Sequence, residues 1–274
     1  MNLHRPSYYP LSVMLTAIVL LLPACVPATT ETILPSSEIP VIQSSPIPVQ
    51  TTQPSNEEPG DISLDHSALA ENVIFETVAA QPASARGPYW ETAPEFRRLT
   101  LEGYPVDKHL FTPQIFVYPA VKLASVNETA GSIITDLQTL LQTQQIGDKL
   151  PFLPLSNTLQ VMHAQVKYLD MKSGKGVRYL TQFNQGISPI NNSEIIYTFQ
   201  GLTSDGKYYI AVVLPVTHPE LPAGTDLNEE QSKKMNDFQA YLAGTVTLLD
   251  QQPSESFSPD LNTLDAMIQS IEVK

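Results

Sequence analysis

The stretch Glu194 to Val216, EIIYTFQGLTSDGKYYIAVVLPV, constrains the fold more than any other part of the chain. In its first arm Ile195, Tyr197 and Phe199 alternate with Ile196, Thr198 and Gln200. In its second arm Tyr208, Ile210, Val212 and Leu214 alternate with Tyr209, Ala211 and Val213. Period-two alternation of β-branched and aromatic residues predicts two strands. Thr203-Ser204-Asp205-Gly206 supplies the turn, because Asp and Gly tolerate the left-handed backbone of a hairpin loop. The second arm is apolar on both faces, which predicts a central strand covered on both sides.

With 274 residues, 42% of them hydrophobic, the chain can bury a sizeable core. The formal charge of -13 argues against nucleic acid, whose phosphates demand Lys and Arg. It also disfavours lying flat on an anionic membrane. Cys25 is the single cysteine, so an intramolecular disulfide, zinc-finger spacing and CxxC redox chemistry are all excluded.

The N-terminus explains where that cysteine stands. His4 and Arg5 form a thin basic region, and the 12 residues from Leu11 to Leu22 form an apolar run. Such a run is too short to span the ~30 Å core of a bilayer as a helix and has the length of a signal-peptide core. It ends in Leu22-Pro23-Ala24-Cys25. This resembles the lipobox of bacterial lipoproteins, with an aliphatic residue at minus three and a small residue at minus one. Pro at minus two departs from the usual Ser, Ala or Thr. The resemblance implies diacylglyceryl attachment to Cys25, cleavage before it by signal peptidase II, and acylation of the new amine. Several acyl chains hold a protein on a membrane stably, unlike one myristoyl chain. The competing reading is an ordinary secretory peptide with a chance cysteine.

Residues 26 to 60 hold seven prolines and ten Ser or Thr, and no aromatic residue. This composition buries too little apolar surface to offset its ordering entropy, which predicts a disordered tether. Its reach would be roughly 30–35 Å as a coil and ~110 Å fully extended. No Lys or Arg occurs between Arg5 and Arg86, whereas Glu31, Glu38, Glu57, Glu58, Asp61 and Asp65 are acidic. Anionic headgroups would repel such a segment. The expected organisation is a signal peptide over 1–24, a lipidated Cys25 and tether over 25–63, and a single globular domain over 64–274.

Within that domain Glu71 to Ala80, Phe96 to Tyr104 and Gln114 to Tyr118 read as strands, the last closed by Pro119. Asn127 to Gln145 reads as a helix with Ile133, Ile134, Leu137, Leu140 and Leu141 as its stripe. Leu159 to Asp170 is predicted as a long strand. Met162, Ala164, Val166 and Tyr168 share one face, and His163, Gln165 and Lys167 the other. Ser173 to Gly176 turns it into Val177 to Phe183. These strands and the hairpin after them predict an antiparallel meander. Asn228 to Leu242 reads as a helix carrying Met235, Phe238 and Leu242. Ser258-Pro259 is expected to open a last helix with the stripe Leu261, Leu264, Ile268 and Ile271. Helices covering an antiparallel sheet make the fold class α+β. The ending LNTLDAMIQSIEV after a meander is similar to the closing helix of the Mog1/PsbP-like sandwiches. That resemblance spans about a dozen residues plus a strand pattern, and it carries no functional residues.

The sequence holds no Gly-rich phosphate loop, no GxSxG, no HExxH and no EF-hand spacing, and no cofactor is implied. Of His66, His109, His163 and His218 none pairs with another at metal-ligand spacing. His163 lies mid-strand, with Asp170 and Arg178 expected near it across the turn. A histidine with a carboxylate partner can act as a general base; the alternative is a half-exposed histidine beside a surface ion pair. Tyr168, Tyr179, Tyr197, Tyr208 and Tyr209 either stack on a sugar or partner, or pack in the core. Phe152, in the proline-broken loop Leu150 to Leu155, is either a tucked lid or part of an exposed binding patch. Two functions follow as expectations. The first is a lipid-anchored, non-enzymatic binding module on the extracytoplasmic face of the cell membrane, facing an envelope protein or glycan. The second is an envelope hydrolase built on His163, Asp170 and Arg178.

Overall fold

The alternating arms of the hairpin form the middle of a seven-stranded sheet. The computed structural model describes residues 61–84 and 87–274; the expected signal peptide, Cys25 and the tether as far as residue 60 lie outside the described residues, whereas residues 61–63, expected in the tether, belong to the domain, with Ile62–Ser63 paired to Glu272–Val273. Strands β1 (Ile62–Ser63), β2 (Asn72–Val78), β3 (Phe96–Glu102), β4 (Gln114–Pro119), β5 (Leu159–Met171), β6 (Gly174–Asn184), β7 (Ile196–Thr203), β8 (Tyr208–Pro215) and β9 (Glu272–Val273) follow in chain order. The large sheet runs β2-β3-β4-β8-β7-β6-β5, so β8 is central, and every neighbouring pair is antiparallel. The four strands β5 to β8 make the expected meander. The β7–β8 turn is tied by the Asp205 side chain, which accepts from Thr203 Oγ1 at 2.7 Å and from the Lys207 amide at 3.1 Å. Gly206 sits there at φ +71°, a conformation that costs a residue without Cβ nothing.

Among the described residues five α-helices complete the α+β fold: α1 (Ala120–Val126), α2 (Glu128–Thr143), α3 (Glu229–Lys234), α4 (Phe238–Asp250) and α5 (Leu261–Ser270). The alternation of β7 and β8 assigns each side chain to a layer. Tyr197, Phe199, Ile210, Val212 and Leu214 pack with Leu261, Leu264, Met267 and Ile268 of α5. Ile196, Tyr209, Ala211 and Val213 pack on the other side with Leu123 of α1 and with Ala130, Ile134, Leu137 and Leu140 of α2. Val212 is fully buried. A strand between two helical layers has no wet face, which is why both of its residue sets are apolar.

The structure adjusts several expectations. Helix α1 is unexpected: Pro119 still belongs to β4 and also stands at the N-cap of α1. Its seven residues bury only Ala120 and Leu123, too few to mark a periodic stripe. The helix expected over 228–242 is two helices. Asp237 caps a second start by accepting from the Ala240 amide at 3.1 Å, and α4 then continues to Asp250. Met235, Phe238 and Leu242 are only half-buried, and Leu249 is the buried residue of α4. Asp260, not Ser258, caps α5, accepting from the Asn262 amide at 2.8 Å. Ser258 is committed elsewhere, exchanging both backbone hydrogen bonds with Thr217 at 2.8 and 3.0 Å. At the chain's C-terminal end Glu272–Val273 pairs with Ile62–Ser63, and the Lys274 amide donates to Asp61 O at 2.8 Å.

Candidate functional site

The geometry around His163 is set by two irregularities in β5. Its pairing with β6 slips between Gln160 and Met162 and again between Ala164 and Lys167. Gln165 takes φ +54°, a left-handed conformation uncommon for a non-glycine residue. Each extra residue turns the strand over. The face expected to carry Met162, Ala164, Val166 and Tyr168 is therefore split. Met162 and Ala164 pack on the α5 side, whereas Val166 and Tyr168 pack against the α2 side. Lys167 is carried to α5.

Gln165 holds its strained backbone with a full set of partners. Its amide donates to Asp250 Oδ1 at 2.5 Å, and Nε2 donates to the carbonyls of Leu249 and Gln252 at 2.7 and 2.9 Å. Its own carbonyl accepts from Arg178 Nη1. The C-terminal end of α4 is thus tied to the bulge.

Arg178, on β6, is only 2% exposed, and its partner is Asp265 on α5. Nε donates to Oδ1 at 2.9 Å and Nη2 to Oδ2 at 3.0 Å, a two-pronged pairing that fits the planar guanidinium. Lys167 Nζ adds a bond to Oδ2 at 2.9 Å, and the Tyr197 hydroxyl donates to Oδ1 at 2.9 Å. Arg178 also lies over the Tyr197 ring, 5.8 Å from its centroid. Burial alone would raise the Asp265 pKa; the Arg178 hydrogen bonds and charge, with Lys167 and Tyr197, outweigh it and hold the carboxyl below its ordinary value. Tyr197 is pushed far up, first by burial and then by the Asp265 charge.

The expected set of His163, Asp170 and Arg178 is not assembled. His163 pairs with Thr181 across the ladder and shares an open depression of about 540 Å³ with Lys167, Arg178, Asp250 and Ser254. Its Nδ1 is shut off from water without a hydrogen-bond partner. Burial lowers its pKa, partly offset by Asp250 and Asp148. Asp170 pairs with Lys175 at the far end of the β5–β6 hairpin and lines a different depression, beside Leu202 and Thr203. Seven strand residues from His163 amount to roughly 20 Å. The carboxylate that Arg178 does meet, Asp265, was missed by sequence reasoning. A signal for it existed: Asp265 falls four residues after Leu261, inside the apolar stripe of α5, where a charge must find a partner.

Phe152 lies in a second and larger concavity. The loop after Lys149 is pinned from the sheet by three polar side chains. Gln200 accepts from the Leu153 amide at 2.9 Å and donates to its carbonyl at 3.1 Å. Tyr179 donates to Pro151 O at 2.7 Å, and Gln160 accepts from the Leu150 amide at 2.8 Å. Leu150 and Leu153 are buried, while Phe152 and Leu155 are half-exposed. Phe152 packs on Phe183 with ring centroids 4.3 Å apart. Between this loop and α2 runs a groove of about 650 Å³, whose apolar wall includes Ile133, Phe152, Leu155, Leu159 and Phe183. Asp136, Thr139 and Lys149 contribute polar groups to it. Tyr179, Tyr197 and Tyr209 are core residues, fully buried, and offer no ring to a ligand.

Among the described residues no group of three or more His, Cys, Asp or Glu could hold a metal ion, and no helix is long and apolar enough to cross a membrane. No protein-family model, characterised protein or solved structure matches this chain.

Proposed function

We propose that this protein is a lipid-anchored binding module of the bacterial cell envelope, tethered through Cys25 and contacting its partner with the groove between α2 and the 150–155 loop. The observation that carries this reading is the placement of the chain's single cysteine directly after Leu22-Pro23-Ala24, at the end of an apolar run of signal-peptide length. A tether rich in Pro, Ser and Thr would then hold the sheet domain off the surface. The groove supports the contact surface: it is concave, mostly apolar, walled by the aromatic rings of Tyr89, Phe152 and Phe183, and supplied with polar groups. An extended glycan or an apolar peptide fits that chemistry. The hydrolase reading has less support, because Arg178 is saturated by Asp265 and Asp170 stands apart from His163.

The test has two arms on the full chain. Cell fractionation should place the wild type in the membrane pellet and Cys25→Ser outside it or in an unprocessed precursor. Retention on isolated envelope glycan or on envelope-protein extract should fall at least ~10-fold in Phe152→Ala, with the thermal midpoint little changed. Equal retention of wild type and Phe152→Ala would remove the groove from the account. Identical fractionation of wild type and Cys25→Ser would remove the anchor.

A further inference from the structure

The two edges of the large sheet are finished differently. Edge strand β5 carries two register slips, a left-handed residue and the C-terminal end of α4 fastened to the Gln165 amide. These are the devices by which proteins blunt an edge against pairing. Edge strand β2 has none of them. It pairs with β3 through seven consecutive residues without a slip, contains no Pro and no Lys, and exposes Ile74 and Phe75 by 45% and 58%. Among the described residues nothing pairs with its outer side.

The outward-facing backbone of β2 can be identified. On β3, Leu101 N donates to Pro113 O on the β4 side at 3.0 Å, whereas Glu102 O accepts from Glu71 N on the β2 side at 2.9 Å; Ala120 N donates to Lys207 O at 2.7 Å in the β4–β8 register, which likewise turns the odd-numbered residues of β4 to β3. Hydrogen-bonded and non-hydrogen-bonded pairs alternate along an antiparallel ladder. Odd-numbered residues of β3 therefore face β4 and even-numbered ones face β2, so the backbone groups of Asn72, Ile74, Glu76 and Val78 point to β3 and those of Val73, Phe75 and Thr77 point outward.

We propose that β2 is a self-association edge, which pairs antiparallel with β2 of a second copy about a two-fold axis through Phe75. This register sets Val73 opposite Thr77 of the copy and Phe75 opposite Phe75, so every outward-facing group of the strand is paired. Phe75 meets its own copy at a hydrogen-bonded position, exchanging both backbone bonds, with the two rings directly opposite, where aromatic pairs are favourable. The charges select the same register. Sliding by two residues in one direction sets Glu76 against Glu76, and sliding the other way leaves Thr77 without a partner inside the strand and moves the phenylalanines apart. A closed two-fold pairing of this kind consumes both edges and does not propagate.

Directed cross-linking in the full chain tests the pairing. Cα atoms at a hydrogen-bonded antiparallel pair are about 5.5 Å apart, within disulfide range. Under mild oxidation Phe75→Cys should form a disulfide-linked homodimer at least ~5-fold above Ile74→Cys and above wild type, whose only thiol is Cys25. Val73→Cys and Thr77→Cys should each cross-link weakly alone and strongly when mixed, because the two positions face one another. Adding Thr77→Pro to Phe75→Cys removes an outward amide and leaves the backbone bonds to β3 in place, so it should abolish the cross-link with little change in the melting midpoint. Phe75→Cys dimers no more abundant than those of Ile74→Cys would overturn the proposal. A cross-link insensitive to Thr77→Pro would do the same, as would one formed only to a different protein.

Discussion

Asp265, on α5, holds the guanidinium of Arg178, on β6, by two hydrogen bonds of 2.9 and 3.0 Å inside a core where both side chains are at most 5% exposed. The pair clamps the closing helix to the sheet. Removing one partner leaves a buried charge alone, which costs about 3–5 kcal/mol. Asp265→Ala should therefore lower the stability of the chain by that amount in urea unfolding. Arg178→Met with Asp265→Leu, which removes both charges and refills the volume, should recover most of it. A double variant as weak as Asp265→Ala would mean that the pair is not the source of the loss.

Lys167 reaches the same carboxylate but is half in water, at 51% side-chain exposure. Solvent screens that bond, so Lys167→Met should cost less than ~1 kcal/mol. The contrast with Asp265→Ala, read in the same urea titration, separates the buried clamp from its exposed addition.

Gln200 ties the 150–155 loop to the sheet and accepts the Tyr209 hydroxyl at 2.6 Å. Gln200→Leu would strand the Leu153 amide and carbonyl away from water. The expected loss is about 2–4 kcal/mol, with faster amide exchange of the loop than of the β7–β8 hairpin. Unchanged exchange at Leu153 would show that the loop is held by its apolar residues alone.

Central placement of β8 is tested by Val212→Asp against Lys207→Asp. Val212 is fully buried between two helical layers, whereas Lys207 is 55% exposed beside Asp205. An unpaired carboxylate at Val212 costs several kcal/mol, a large part of the ~5–15 kcal/mol that holds a typical domain. Val212→Asp should abolish cooperative melting by circular dichroism. Lys207→Asp should move the midpoint by no more than a few degrees, about what 1 kcal/mol does at this size. A wild-type melt for Val212→Asp would contradict the sheet order.

Acid should weaken the fold before the carboxylates titrate. Burial is the leading cause that lowers the pKa values of His109, His163 and His218 below their ordinary value. For a histidine lowered on folding, the unfolded chain binds the proton more readily. Its contribution to stability is then complete above the ordinary ~6.5 and is lost as pH falls through the folded-state value. Lowered Asp265 acts with the same sign in a more acidic window, below the ordinary carboxylate value of ~3.9. The urea midpoint should fall between pH 7.5 and pH 5.5. His163→Gln should shrink that fall; a midpoint level across the range would contradict it.

The hairpin and the meander were legible because period-two alternation is a local signal that burial on two sides preserves. The stripe of α5 was legible for the same reason at helical spacing. What escaped was non-local. The bulge at Gln165 turns β5 over, and nothing in the strand's own composition announces it, since its stabilising partners lie at Leu249, Asp250 and Gln252. That single inversion sends Lys167 to α5 and separates Val166 and Tyr168 from Met162. Arg178 and Asp170 are both expected near His163 across the turn, but the carboxylate that satisfies Arg178 lies 87 residues away along the chain. The groove at Phe152 was half visible. Its prolines and apolar residues marked the loop, whereas Gln160, Tyr179 and Gln200, which pin it, read only as strand residues.

The central claim is the lipid anchor at Cys25, and metabolic labelling with a palmitate analogue tests it most directly. The account predicts that the wild-type chain takes up label and that Cys25→Ser takes up none above background. Equal label on the two chains, or none on the wild type, would contradict it.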